Sequence, residues 1–249
     1  MCGRYSVTLP PAAFRALFRY PEQPNFPPRY NIAPTQPIPV VRLINGRRQF
    51  ALLRWGLLPS WVKDPKQVSV LFNARGESIN DKPAFKSAMR YRRCLIPADG
   101  FYEWRALGKT KQPYFIHRPD KSPFAFAGLW ETWSGPNGEE LDTATIVTTR
   151  ANDALAPIHE RMPVIVPEAS FDTWLDSSAV DAEAAAALIA PAPNDLLEAY
   201  PVSPEVGRTA NDNPSLIERV EIVPQVPAAP PKKRGKKRDE PDDGQPSLF

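Results

Sequence analysis

The sequence has few of the side chains from which disulfide frameworks and metal sites are built. Only two cysteines, Cys2 and Cys94, and two histidines, His117 and His159, occur among its 249 residues. The cysteines could pair, but one pair in a chain of this length does not make a disulfide framework. A structural zinc site needs four Cys or His ligands at close spacing. The sequence therefore predicts neither a disulfide scaffold nor a metal site, and it indicates no cofactor.

Long apolar runs are also missing. No 18-residue apolar stretch and no charged-then-apolar leader is present, which predicts a cytoplasmic protein without a membrane partner. The residues before position 224 carry 25 basic and 24 acidic side chains, so net charge alone does not indicate nucleic-acid binding. A basic groove would need local clustering, for which the candidates are Arg75, Arg90, Arg92 and Arg93.

Proline is abundant, with 31 residues against a usual share of about 5%. This composition favours short strands and many loops over long helices. We expect an α+β fold: one β-rich domain over residues 1–223, with twisted antiparallel sheets forming a barrel-like core flanked by a few short helices. Residues 224–249 are rich in proline and in blocks of charge, which predicts a disordered tail. Nothing indicates an oligomer, so a monomer is expected.

Period-2 and period-3.6 patterns predict the individual elements. A hairpin is expected about Asn45-Gly46, and helices are expected after Pro10-Pro11 and Lys82-Pro83. Further expected elements are strands at 4–8, 113–117, 124–131, 143–149, 198–202 and 216–223, and helices near 168–175 and 181–189.

Cys2 follows the initiator methionine directly. Cells trim that methionine before a small residue, which would leave a free α-amine and a thiol on Cys2. With ordinary pKa values of about 7.7–8.0 and about 8.5, both groups are partly nucleophilic near neutral pH. A 1,2-aminothiol condenses with an aldehyde to a Schiff base and then closes to a thiazolidine. A cysteine placed at a frayed terminus by chance is the alternative.

Two polar residues stand in settings that favour proton transfer. Strand alternation places Glu103 on one face with Phe101, and an aromatic neighbour desolvates a carboxylate and raises its pKa. His159 lies in a loop between Pro157 and Pro163, which suits acid-base work. The alternatives are an ion pair between Glu103 and an arginine, and an ordinary surface histidine. His117, inside a strand-like run, is interpreted as structural.

Trp55 and Trp61 lie close together near a proline. Such tryptophans fill gaps in a core, or they stack on bases and wedge into DNA.

At the far end of the chain, Gln245-Pro246-Ser247-Leu248-Phe249 resembles the peptide by which bacterial replication and repair proteins dock on the sliding clamp. In that motif Gln245, Leu248 and Phe249 would fill the clamp groove, with Pro246 replacing the usual leucine.

Four motifs in order resemble the SRAP family, the SOS response-associated peptidase domain. They are Met1-Cys2-Gly3-Arg4, Asn73-Ala74-Arg75-Gly76-Glu77, the run from Ile96 to Trp104, and Ile158-His159-Glu160-Arg161-Met162-Pro163. The resemblance covers residues 1 to about 222. It implies a bacterial, nucleoid-associated protein of the DNA damage response that senses and shields abasic sites in single-stranded DNA, including single-strand/double-strand junctions.

The resemblance also implies roles for individual residues. Cys2 would form a covalent thiazolidine crosslink with the ring-opened sugar, Asn73 would orient the sugar and the terminus, and Glu103 would handle protons during ring opening and Schiff-base formation. His159 would be the acid-base group for closing or reversing the adduct. It implies that Arg75 contacts a phosphate and that Trp61 is part of a wedge at the junction. Arg4, Arg90 and Arg92 are further predicted DNA contacts.

Two other hypotheses stay open. Cys2 could be the nucleophile of a cysteine peptidase with His159 as its base, acting only to remove Met1 or on other proteins. Alternatively, the protein could read modified DNA bases without catalysis, using Trp55 and Trp61 for stacking.

Overall fold

The computed structural model describes residues 2–222. Met1, the tail and its proposed clamp-docking residues Gln245, Leu248 and Phe249 lie outside this range. No helix within residues 2–222 is long and apolar enough to cross a membrane.

Residues 2–222 form thirteen strands and four α-helices. The strands are β1 Tyr5–Val7, β2 Arg29–Ile32, β3 Pro37–Ile44, β4 Arg47–Trp55, β5 Asn73–Arg75, β6 Arg93–Ala98, β7 Gly100–Leu107, β8 Thr110–His117, β9 Phe124–Ser134, β10 Glu140–Arg150, β11 Arg161–Pro163, β12 Ile165–Val166 and β13 Glu198–Pro201. The helices are α1 Pro11–Phe18, α2 Pro83–Tyr91, α3 Phe171–Leu175 and α4 Ala182–Ala186, and short 3-10 turns lie between the elements.

Five strands close into a barrel. The pairings β4–β3, β3–β6, β6–β9 and β9–β10 are antiparallel, and a parallel pairing of β10 with β4 completes the ring. All six residues of β6 are buried. A β-carbon on Gly128 of β9 would lie only 2.8 Å from the Cys94 sulfur and from Ile96, so this close approach requires glycine. The expected barrel-like core is confirmed, with parallel pairings of β10 to β4 and β5 as a difference.

A second sheet has the order β13-β8-β7-β1-β2. It places β1, which follows Cys2, beside β7, which carries Glu103. Strand β1 pairs with β7 through Tyr5 and Phe101, and the Tyr102 N–H donates to the Arg4 carbonyl at 3.0 Å. Phe101 packs into the main core, whereas Tyr102 packs into a second cluster with Phe115. This alternation confirms the predicted faces of β7 and leaves Glu103 on the face of Phe101.

The hairpin about Asn45-Gly46 and the helices that begin at prolines are confirmed. Proline fits the first turn of a helix because the N–H that it lacks would have no partner there. The strand expected at 216–223 is wrong. Leu216 lies in a 3-10 turn over Pro214–Ile217, and only an isolated bridge joins Arg219 to Val202. A proline at the first position of this turn favours the turn over an extended strand.

Two sequence-based assignments are corrected by burial. Arg93 is 2% exposed, and its guanidinium donates to the carbonyls of Met89, Trp174, Asp176 and Val180 at 2.6–3.1 Å. Arg93 therefore stabilises the core and belongs to no basic groove. Trp55 has no exposed surface and packs edge-on against Tyr5, which leaves none of its ring for stacking on a base.

Candidate functional site

Asn73 holds the backbone of Cys2. Strand β5 runs parallel to β10, with Asn73 opposite Ile146, and the Asn73 Nδ2 donates to the Cys2 carbonyl at 2.8 Å. The Asn73 Oδ1 is buried, and no described residue donates a hydrogen bond to it. A buried amide oxygen normally has a donor. The site therefore offers an acceptor beside Cys2.

The Cys2 side chain is fully buried. Its thiol makes a long contact of 3.9 Å with the Arg4 carbonyl. Burial, and secondarily the negative charge of Glu103, raises the pKa of the Cys2 thiol far above its ordinary value. The thiol therefore stays protonated near neutral pH and needs a proton acceptor before its sulfur can react.

Glu103 is 3% exposed and lies on β7, beside the strand that follows Cys2. Desolvation by burial raises the pKa of Glu103 to about 7. A carboxyl with this pKa exists in both protonation states near neutral pH, so it can donate a proton in one step and accept one in another.

His159 faces Glu103, with 4.0 Å between the His159 Nε2 and the Glu103 Oε2. The Arg161 N–H donates to the His159 Nδ1 at 2.9 Å, a shorter contact than the 3.3 Å from Nδ1 to the Arg161 carbonyl. The neutral ring therefore carries its hydrogen on Nε2, directed towards the Glu103 side. Burial lowers the pKa of His159 below its ordinary value, which keeps the ring neutral at pH 7.

These two groups open into a cleft of about 400 Å³ lined by Glu103, Trp104, Lys111, His159 and Gly207. The sequence interpretation named no role for Lys111 or Trp104. Lys111 pairs with Ala106 across the β7–β8 hairpin, which also carries Glu103. The pairing pattern of this hairpin would therefore have identified Lys111 from the sequence. The cleft thus places a cation and an aromatic ring beside the acid-base pair.

Three of the predicted DNA contacts are available at the surface. Arg75 is exposed and lies two residues beyond Asn73 on β5. Trp61 is 63% exposed. Its neighbour Val62 is buried, and the Val62 carbonyl accepts a hydrogen bond from the Trp133 indole at 2.6 Å. Arg90 lies over the ring of the exposed Tyr91 at 5.0 Å. Their contacts with DNA stay predictions.

Arg4 and Arg92 already have protein partners. The Arg4 guanidinium donates to the Val206 and Gly207 carbonyls at 2.7 and 3.3 Å. Arg92 forms an ion pair with Glu131 at 2.6 Å. Binding to phosphate would therefore have to compete with these contacts.

Cys94 and His117 do not line this cleft. Cys2 and Cys94 are both free and buried. His117 is buried in β8 and its ring is stacked on Phe115 at 5.4 Å, a setting that fits the structural interpretation. Residues 2–222 contain no group of three or more His, Cys, Asp or Glu side chains that could hold a metal ion.

Comparison with known sequences gives matches over most of the chain. Residues 1–209 match the family model described as SOS response associated peptidase (SRAP). The abasic site processing protein YoqW of Bacillus subtilis is 39% identical over 222 residues, which span 88% of this chain and 99% of that protein. The abasic site processing protein HMCES of Xenopus tropicalis is 31% identical, over 88% of this chain and 78% of that protein.

Solved structures share the fold. A protein from Bacteroides thetaiotaomicron has a TM-score of 0.78 at 26% identity and covers 88% of this chain and 100% of its own. A phage-related protein from Bordetella bronchiseptica has a TM-score of 0.65 at 33% identity, with 81% and 94% coverage.

Proposed function

Because the chain belongs to the SRAP family of SOS response associated peptidases, we propose that it processes abasic sites in DNA. The observation that carries the proposal is the convergence of Cys2, Asn73, Glu103 and His159. Asn73 holds the Cys2 backbone at 2.8 Å, and the Glu103 and His159 side chains stand 4.0 Å apart at one cleft. Relatives named abasic site processing proteins support the same substrate.

The proposed reaction begins on the sugar. An abasic deoxyribose equilibrates between a closed hemiacetal and a small fraction of open aldehyde. Ring opening moves a proton from the C1′ hydroxyl to the ring oxygen, and Glu103 can mediate this transfer because its pKa is about 7. The neutral His159 presents its Nε2 hydrogen to the same cleft.

Covalent capture follows once Met1 has been removed. The Cys2 amine adds to the aldehyde carbon, and loss of one water gives a Schiff base. The Cys2 sulfur then bonds to that carbon while its proton passes to the imine nitrogen, which closes a thiazolidine. The high pKa of the thiol favours this order, because the free amine is the stronger nucleophile near neutral pH. His159 would serve as the acid-base group for closure or reversal, and Asn73 Oδ1 can accept from the Cys2 amine.

Capture without strand cleavage would make the protein a shield for abasic sites in single-stranded DNA and at single-strand/double-strand junctions. Arg75 and Arg90 would contact phosphates, with Arg4 and Arg92 joining if DNA displaces their protein partners. The exposed Trp61 would stack or wedge at the junction. Residues 245–249 would dock the protein on the sliding clamp, and deleting them should abolish a clamp pull-down.

The two rival functions have less support. A cysteine peptidase needs a thiolate, whereas burial raises the pKa of the Cys2 thiol. A non-catalytic base reader would stack on Trp55 and Trp61, and of these two only Trp61 is exposed.

Denaturing electrophoresis with a single-stranded oligonucleotide that contains one abasic site separates the three functions. The crosslinking proposal predicts a heat-stable shifted band for wild type, and a weaker band with more strand nicking for Cys2→Ala. Cleavage of casein by wild type but not Cys2→Ala would favour the peptidase. A shift that appears only under native conditions would favour the reader.

A further inference from the structure

An ion pair joins the segment that follows Asn73 to the segment that follows His159. The Arg161 guanidinium donates from both terminal nitrogens to Glu77, at 2.7 Å to Oε1 and 2.9 Å to Oε2. The same guanidinium donates to the carbonyl and hydroxyl of Thr148 at 2.8 and 3.1 Å. A two-pronged arginine–carboxylate pair fixes orientation as well as distance.

The pair spans three neighbouring strands. Thr148 of β10 pairs with Arg75 of β5 on one side and with Pro163 of β11 on the other. Glu77 follows the strand that carries Asn73, in the 3-10 turn Gly76–Ser78. Arg161 begins the strand that follows His159. The Arg161 guanidinium therefore crosses β10 and connects the strand that carries Asn73 to the loop that carries His159.

Arg161 also contacts His159 directly, because its backbone N–H donates to the His159 Nδ1 at 2.9 Å. That bond sets which ring nitrogen carries the hydrogen. A shift of Arg161 would therefore change both the position of the imidazole and its tautomer.

The contribution of the pair to folding stability should be small. The Glu77 side chain is 54% exposed and the Arg161 side chain 12% exposed, and ion pairs with an exposed partner stabilise proteins by only about 0–1 kcal/mol. Hydrogen bonds from Arg161 lower the pKa of Glu77, so the pair stays ionised at the pH where the cleft would act.

We propose that Glu77 is a positioning residue, which acts through Arg161 to hold His159 in place and in its Nε2–H tautomer relative to Asn73. The proposal deepens the proposed function and rests on it. Small displacements of catalytic groups reduce rates by up to about 10²-fold. Loss of the carboxylate charge should thus slow covalent capture while leaving the affinity for DNA in place.

The test compares Glu77→Gln with Glu183→Gln, which removes a charge from an exposed residue lining the same cavity as Glu77. We expect Glu77→Gln to lower the maximal crosslinking rate on saturating abasic oligonucleotide about tenfold or more. Its Kd for an oligonucleotide containing tetrahydrofuran, a stable abasic analogue, should stay within about twofold, since Glu77 is not a DNA contact. Glu77→Asp, which keeps the charge, should recover part of the rate, and Glu183→Gln should change neither quantity.

An unchanged rate in Glu77→Gln would overturn the proposal. Tighter DNA binding in that variant without a slower maximal rate would also overturn it, because Glu77 would then compete with phosphate for Arg161.

Nitrogen NMR of ¹⁵N-histidine protein tests the same idea without DNA. The two histidines can be assigned with a His117→Gln variant. Wild type and Glu183→Gln should show His159 as the Nε2–H tautomer, and Glu77→Gln should show a mixture of the two tautomers. If wild type forms no crosslink, the proposed function fails but this spectrum still tests the positioning role. An unaltered tautomer in Glu77→Gln would show that Glu77 does not position His159.

Discussion

Glu103 combines burial with a pKa near 7, and this combination has a measurable effect on stability. In the unfolded chain its pKa is ordinary, near 4.5. The folded state therefore binds a proton more tightly, and its stability falls as pH rises from about 4.5 through about 7. A pKa difference of this size corresponds to about 3 kcal/mol.

We therefore expect the free energy of unfolding of Glu103→Gln at pH 8 to exceed that of wild type by on the order of 2–3 kcal/mol. The gain should disappear below about pH 4.5, where wild-type Glu103 is protonated in both states. Urea denaturation at pH 4 and pH 8 measures it. Glu140→Gln, which alters an exposed glutamate, is the control and should show no such difference. Equal stability of Glu103→Gln and wild type at pH 8 would contradict the raised pKa.

The same variant should change the pH dependence of crosslinking. In wild type the protonated Glu103 donates in ring opening, so the rate should fall as pH rises above about 7. Glu103→Gln should be slower by about 10²-fold or more and should lose that decline. Single-turnover rates between pH 5.5 and 8.5 measure both effects, and a wild-type decline that persists in the variant would assign it to another group.

Among the elements, Arg93 has a structural role, although the sequence made it a candidate for a basic groove. It begins β6, and its guanidinium donates to four carbonyls, those of Met89 in α2 and of Trp174, Asp176 and Val180 in and after α3. One buried cation thus joins the barrel to two helical segments.

Arg93→Lys keeps the charge but cannot reach all four carbonyls. Each buried carbonyl left without a donor costs about 1–3 kcal/mol, so we expect a loss of at least about 3 kcal/mol in the free energy of unfolding. Thermal and urea denaturation measure the loss, with Arg47→Lys, an exposed arginine, as the control. The affinity of the folded variant for single-stranded DNA should equal that of wild type. If the variant bound single-stranded DNA more weakly but had the free energy of unfolding of wild type, Arg93 would be a DNA contact instead of a core residue.

For the whole molecule, the sequence predicted the individual helices and hairpins better than the strand pairings that close the barrel. Asn45-Gly46 and the proline-led helices carry local signals, and the structure confirms them. The parallel pairing of β10 with β4 joins residues about 90 positions apart, and no local pattern encodes that contact. The burial of Arg93 and Trp55 likewise depends on residues distant in sequence.

The same division applies to the site. Alternation on β7 predicted that Glu103 shares a buried face with Phe101, and the structure confirms its burial. The approach of His159 to Glu103, and the link from Glu77 to Arg161, join segments more than 50 residues apart. Only the fold brings them together, although the order of the four motifs identified the family in advance.

Intact mass spectrometry of the protein after incubation with an abasic single-stranded oligonucleotide tests whether Cys2 forms the thiazolidine. Without borohydride reduction, we expect an acid- and heat-stable species whose mass equals protein lacking Met1 plus DNA minus one water, with the modification mapped to Cys2. In Cys2→Ala only a Schiff base can form, so this species should be much weaker and strand nicking should increase. An undiminished stable adduct in Cys2→Ala would contradict thiazolidine formation at Cys2.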